Sequence, residues 1–161
     1  YTLNSGEEKS QMILRLMMQG MHYYHYQPQD IDDNFSSRVF EQYLKRLDYN
    51  KRFFTQQDID KMGEYQFNLD EEINDGSYEL FDLSIQIFEA RMKESQGYYE
   101  RILAEPFDFS LDETLTTDVE KLDYPQEVTE VKSRWRKVLK YQTLTPIVQG
   151  RERQGKEPID G

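Results

Sequence analysis

The chain contains no cysteine among its 161 residues. Disulfides and thiol nucleophiles are therefore excluded, and a zinc site would have only two imidazoles, His22 and His25, to build on. The absence fits a reducing and an oxidising compartment equally. Long apolar runs are missing too: none approaches the roughly 18–20 residues of a membrane-spanning helix. No signal-like stretch is present, and Tyr1 rather than Met stands first, so further sequence upstream is expected. Positive charge is short, with 20 Lys and Arg against 31 Asp and Glu and a net charge of −11. Such a surface repels nucleic-acid phosphates and anionic lipid, which excludes sequence-independent nucleic-acid binding. Val and Ala are scarce. The apolar content comes from Leu, Ile, Met, 12 Tyr and 9 Phe, whose large side chains allow a helical core of moderate size. The length favours one domain.

What is present reads as helix. Ser5 and Glu8 form an S-x-x-E capping box for a first helix carrying Met12, Ile13, Leu16, Met17, Met21 and Tyr24 at helical spacing. Pro28 closes that element. Asp30, Asp32 and Asp33 supply an N-cap for a second helix with the stripe Phe35, Val39, Phe40, Tyr43, Leu44 and Leu47. Thr55 and Asp58 open a third helix, expected to run unbroken through Ile73 to Gly76 at its C′ position. Ser77 is expected to cap a long central fourth helix that Pro106 stops. Periodicity is lost between Phe107 and Tyr124, an ordered loop expected to pin Phe107 and Phe109 onto the core. Pro125 fits the first turn of a last helix with Val128, Val131, Trp135, Val138 and Leu139 inward. The fold class is all-α, an irregular bundle of about five helices. The domain is placed at 1–141, with 142–161 a linker or truncated continuation.

Few motifs advertise chemistry. Asp30, Asp32, Asn34 and Ser36, with Glu41 at the twelfth place, imitate a calcium loop, but Phe35 stands where the sharp turn requires Gly, and an acidic helix cap is the better reading. His22 and His25 share one helix face as half a metal site or, the favoured reading, as hydrogen-bonding residues. Carboxylate pairs such as Asp32-Asp33 and Glu71-Glu72 lie at helix ends or on polar faces, as solvated surface does. No G-x-S-x-G elbow, P-loop or G-x-G-x-x-G is present. Tyr23, Tyr24, Tyr26, Tyr98 and Tyr99 invite a peptide-binding reading, against the plainer one that these rings are core or cover helix ends. Arg134-Trp135-Arg136-Lys137 is a basic-aromatic spot, or an inward Trp with solvated neighbours. The candidate interaction residues are Tyr23, Tyr24, Tyr26 and Trp135; no catalytic, cofactor-binding or metal residue is assigned.

One series of short segments is specific when taken in order: His25-Tyr26, the Asp30–Asp33 turn, Phe35-Ser36, Phe40-x-x-Tyr43-Leu44-x-x-Leu47-Asp48, Asp58-Ile59, the Phe81–Tyr99 helix, Glu105-Pro106-Phe107-Asp108-Phe109 and Trp135. In these the chain resembles the helical N-terminal domain of bacterial tail-specific proteases, the C-terminal processing peptidases, over roughly residues 10 to 141. The resemblance implies a parent serine endopeptidase of the periplasm with a Ser–Lys dyad and a PDZ module that reads substrate C-termini. Neither the dyad nor the PDZ strands match here, so no catalytic residue carries over and no cofactor is implied. The implied partners are the protease core and PDZ module of the same chain, protein substrates and an adaptor lipoprotein. Such a domain would be expected to expose an apolar patch toward the core. The rival expectation is a stand-alone helical peptide-binding protein; a calcium switch at Asp30–Glu41 is the third.

Overall fold

The computed structural model describes residues 6–24 and 31–154. Among them are six α-helices: α1 (Gly6–Tyr24), α2 (Asp33–Leu47), α3 (Gln56–Gly63), α4 (Leu69–Asp75), α5 (Glu79–Leu103) and α6 (Val128–Gln154). A single 3-10 turn spans Val119–Lys121, and no strand occurs among the described residues. The all-α class expected from the sequence is the one observed. The chain falls into two compact units, one of residues up to 47 and 58–87, the other of residues 48–57 and from 88 on. The division falls within α3 and α5.

In the first unit, Asp32 starts α2. Its Oδ1 accepts the Phe35 N–H at 2.9 Å, and its carbonyl accepts the Ser36 N–H. The bond from Phe35 is the main reason the Asp32 carboxyl is held below its ordinary range. The calcium-loop pattern is not realised. From Asp33 on the backbone is helical, and residues two apart on a helix do not face one another. Asp30 lies outside the described residues, as do Ser5 of the capping box, His25, Tyr26 and Pro28. Ser36 is fully buried instead of facing an ion. Its hydroxyl donates to Asp70 Oδ1 at 2.8 Å and accepts the Asp70 N–H at 2.9 Å, tying α2 to α4. Gln66 adds a bond to Ser37 at 2.8 Å. Phe40, Leu44, Met62 and Leu80 form the buried apolar centre, each contributing about 1.5–3 kcal/mol by leaving water.

The single third helix expected from the sequence is broken into α3 and α4. Turns replace the helix where Tyr65 N–H bonds the Met62 carbonyl and Asn68 N–H bonds the Tyr65 carbonyl. Gly63 and Asn68 at the two edges are poor helix formers, and the break lets Gln66 and Asp70 reach α2. Gly76 ends α4 as expected, at φ +74°, and a Cβ there would also meet Gln11 Cγ at 3.1 Å. The capping role assigned to Ser77 falls to Glu72. Its carboxylate accepts the Leu80 N–H at 3.2 and 3.4 Å, at the start of α5. Burial raises the Glu72 carboxyl, against the opposing pull of that bond.

In the second unit, Asp48 organises the turn before α3. Its carboxylate accepts the backbone N–H groups of Arg52, Phe53 and Phe54 at 2.9, 2.9 and 3.0 Å. Lys51 accordingly takes φ +48°. Phe54 is fully buried. Phe53 stands edge-on to both Phe88, at 5.2 Å, and Trp135, at 5.6 Å. Pro125 is not in the first turn of α6, which begins at Val128. It is buried ahead of the helix, and its carbonyl accepts the Gln56 N–H at 2.8 Å. The helix start is instead closed by Glu130, whose carboxylate accepts the Gln126 N–H at 2.7 Å. α6 then runs through Pro146 to Gln154.

Candidate interaction surfaces

Helix α1 gains little of the burial its pattern suggests. Met12, Ile13, Leu16 and Met17 are 48–60% exposed, and Tyr23 is 84% exposed. The spacing i, i+1, i+4, i+5 places the four on one stripe, so the helix shows water an apolar face. Beside it in the same unit, a mostly apolar cavity of about 190 Å³ opens among Leu14, Val39, Tyr43, Ile73, Tyr78 and Phe81. Two of its lining residues are tied together through Ser84: Tyr43 Oη and Ser84 Oγ lie 2.5 Å apart, and Ser84 Oγ also donates to the Phe81 carbonyl at 2.7 Å. Tyr24 lies in α1, but its side chain, like that of His22, is outside the described set.

Trp135 belongs to the other unit and has an internal role there. Its indole N–H donates to the Arg52 carbonyl at 3.0 Å while its ring packs on Phe53. The flanking cations divide by function. Arg134 donates to the Lys51 carbonyl and, at 3.0 Å, to that of Asp123, and desolvation lowers its pKa. Lys51 in turn reaches the Leu122 carbonyl and lies 5.2 Å above the Tyr124 ring. Burial and the nearby Asp48 charge push the Tyr124 hydroxyl up to about 12. Arg136 and Lys140 clamp Glu113, Arg136 with both of its terminal nitrogens and Lys140 at 2.7 Å. Those bonds, Arg136 first, bring the Glu113 carboxyl down to about 2. They hold the irregular segment 104–127 against α6. Phe107 and Phe109 pack on each other at 6.2 Å with Lys140 over the Phe109 ring, and Phe109 stays exposed rather than pinned in the core.

Between that segment and α6 lies an opening of about 490 Å³, with Arg52, Arg134 and Lys137 among its lining residues. A second compartment of about 310 Å³ shares Thr114, Leu115, Thr117, Lys137 and Tyr141 with it and is lined further by Phe109, Leu111 and Leu144. The sequence marked Arg134 and Lys137 only as neighbours of Trp135. It gave no signal for Arg52 or the threonines, which come together through tertiary contacts. Among the described residues no group of three or more His, Asp or Glu could hold a metal ion, and no helix is long and apolar enough to cross a membrane.

These features describe an all-α chain with an exposed apolar helix face in one unit and a polar opening in the other. The chain matches the family described as the tail specific protease N-terminal domain over residues 17–159, and it belongs to that family. It is also 29% identical over 133 residues to a tail-specific protease of Haemophilus influenzae. The shared region is 80% of this chain and 19% of that protein, so the chain spans about a fifth of its relative's length.

Proposed function

We propose that this chain is the non-catalytic helical part of a periplasmic serine endopeptidase that degrades or processes proteins recognised at their C-termini. It packs on the protease core, which supplies the Ser–Lys dyad, and helps to position substrate or an adaptor. The observation that carries the reading is the exposed stripe Met12, Ile13, Leu16 and Met17 on α1. Four adjacent apolar side chains at this exposure are a surface awaiting a partner, and four fifths of the related protease lies outside the matched region. Tyr23 extends the same helix toward its C-terminal end and offers a ring with a polar tip to that partner.

The test uses the parent enzyme and the chain alone. The isolated chain is expected to leave a denatured protein uncut. In the parent, Leu16→Asp with Met17→Asp is expected to lower protein hydrolysis by about tenfold or more, the scale of losing an apolar anchor, while the chain alone keeps its helical circular dichroism. Full activity of the doubly substituted parent, or cleavage by the isolated chain, would sink the proposal.

A further inference from the structure

We infer that residues 112–118 form an unpaired β-edge that binds an extended segment of another polypeptide through backbone hydrogen bonds. From Asp112 to Asp118 the chain runs without turn, bend or helix, and every φ in the run is negative. Its side chains alternate as those of a strand do: Glu113 and Leu115 are half-buried, whereas Asp112, Thr114 and Thr116 are exposed. Thr114, Thr116 and Thr117 are β-branched, which suits this conformation. Yet none of the backbone N–H or carbonyl groups of residues 112–117 is hydrogen-bonded among the described residues. A strand edge is a row of donors and acceptors. The partner that answers both along such a row is a second extended backbone.

The run is held at its ends and on its inward side. The Leu111 carbonyl accepts from Lys140 at 3.3 Å, Glu113 is bonded to Arg136 and Lys140, and Asp118 ends the run by accepting the Glu120 N–H at 3.2 Å. The edge is therefore ordered before a partner arrives, which lowers the entropic cost of adding a strand. Space lies beside it as well. The openings of about 490 and 310 Å³ toward α6 both meet Thr114, Leu115 and Thr117, and they make a groove along the run. Recognition through the backbone tolerates varied side chains, so the partner class is unfolded polypeptide, whose backbone is free to pair. The edge belongs to the second unit, and its binding does not rest on the docking of α1 proposed above.

The probe is a fluorescent, uncharged peptide of alternating threonine and valine with both ends blocked, titrated into the full 161-residue chain. Saturable binding that added salt leaves unchanged is expected. Two analogues, N-methylated at every second residue along one edge or along the other, lose donors on opposite sides. One of them is expected to bind about tenfold more weakly, the scale of one or two net backbone hydrogen bonds, while the other binds as the parent peptide does. In the protein, Thr114→Pro with Thr116→Pro and Leu115→Pro with Thr117→Pro likewise remove donors from opposite sides of the run. One pair is expected to weaken binding by about tenfold, with circular dichroism confirming that the helices persist. Absence of saturable binding would overturn the inference. So would unchanged binding of both N-methylated analogues, which need no variant to fold. A dimer of the chain in sedimentation that the probe fails to dissociate would assign the edge to a second copy and overturn it too.

Discussion

Individual side chains in this molecule do more organising than their types suggest. Asp48 gathers three consecutive backbone N–H groups, and Ser36 both donates to and accepts from Asp70. Glu113 shows how one carboxylate fixes a largely irregular segment. Its pKa is depressed to about 2 by Arg136 and then Lys140. For a depressed acid, the stabilising contribution is full above the ordinary carboxylate value of 4.5 and is lost as pH falls through the folded value. Loosening of residues 109–122 is therefore expected between about pH 4.5 and 2, and Glu113→Gln should remove that transition. Amide exchange of the segment measured against pH checks it; exchange independent of pH after correction for intrinsic rates would contradict the clamp. The sequence showed these charges but not their pairing, because Glu113 and Arg136 are 23 positions apart.

At the scale of elements, periodicity located the helices and misjudged their joints. The stripe of α2 was legible in part: Phe40 and Leu44 are buried as expected, whereas Val39 is exposed. The break between α3 and α4 was not, because apolar spacing continues through Tyr65 and Phe67 while the backbone turns to let Gln66 and Asp70 bond α2. The start of α5 was assigned to the nearest hydroxyl, Ser77, although the group that serves Leu80 is Glu72, eight residues earlier. That junction makes a sharp prediction. Glu72→Ala leaves the buried Leu80 N–H without its acceptor and is expected to cost about 1–3 kcal/mol. Glu72→Gln keeps an acceptor oxygen and removes a charge whose pKa is raised by burial, so it should cost little at neutral pH. For a raised acid the sign is opposite to that of Glu113: the penalty is present at high pH and is relieved as pH falls through the folded value. Denaturant unfolding of the two variants is the measurement, and equal losses would show that Glu72 acts by packing alone.

On the scale of the whole molecule, the exposed α1 face is the surface proposed above to pack on a protease core. The chain corresponds to 19% of a related protease. If α1 packs on the remainder of the enzyme, its amides should exchange more slowly in the parent than in the isolated chain, by about tenfold for each 1.4 kcal/mol of added local stability. Identical exchange in both would place the docking surface on another element. Composition, by contrast, acts at this scale without any fold: the charge of −11 alone argues against phosphate-backbone partners.

The sequence by itself determined the all-α class, the positions of most helices and the family, because helical spacing, Pro and Gly punctuation and an ordered series of short segments are local or linear properties. It also made Gly76 necessary, since a left-handed residue at a helix end is a local demand. Tertiary structure alone decided which apolar residues stay in water, so that α1 shows its stripe while α2 buries Phe40 and Leu44. It likewise decided which cations are neutralised. Arg136 and Lys137 are adjacent in the chain, yet Arg136 bonds Glu113 and Lys137 faces the groove. Burial and charge pairing depend on what lies across space, and that information is not carried by neighbours along the chain.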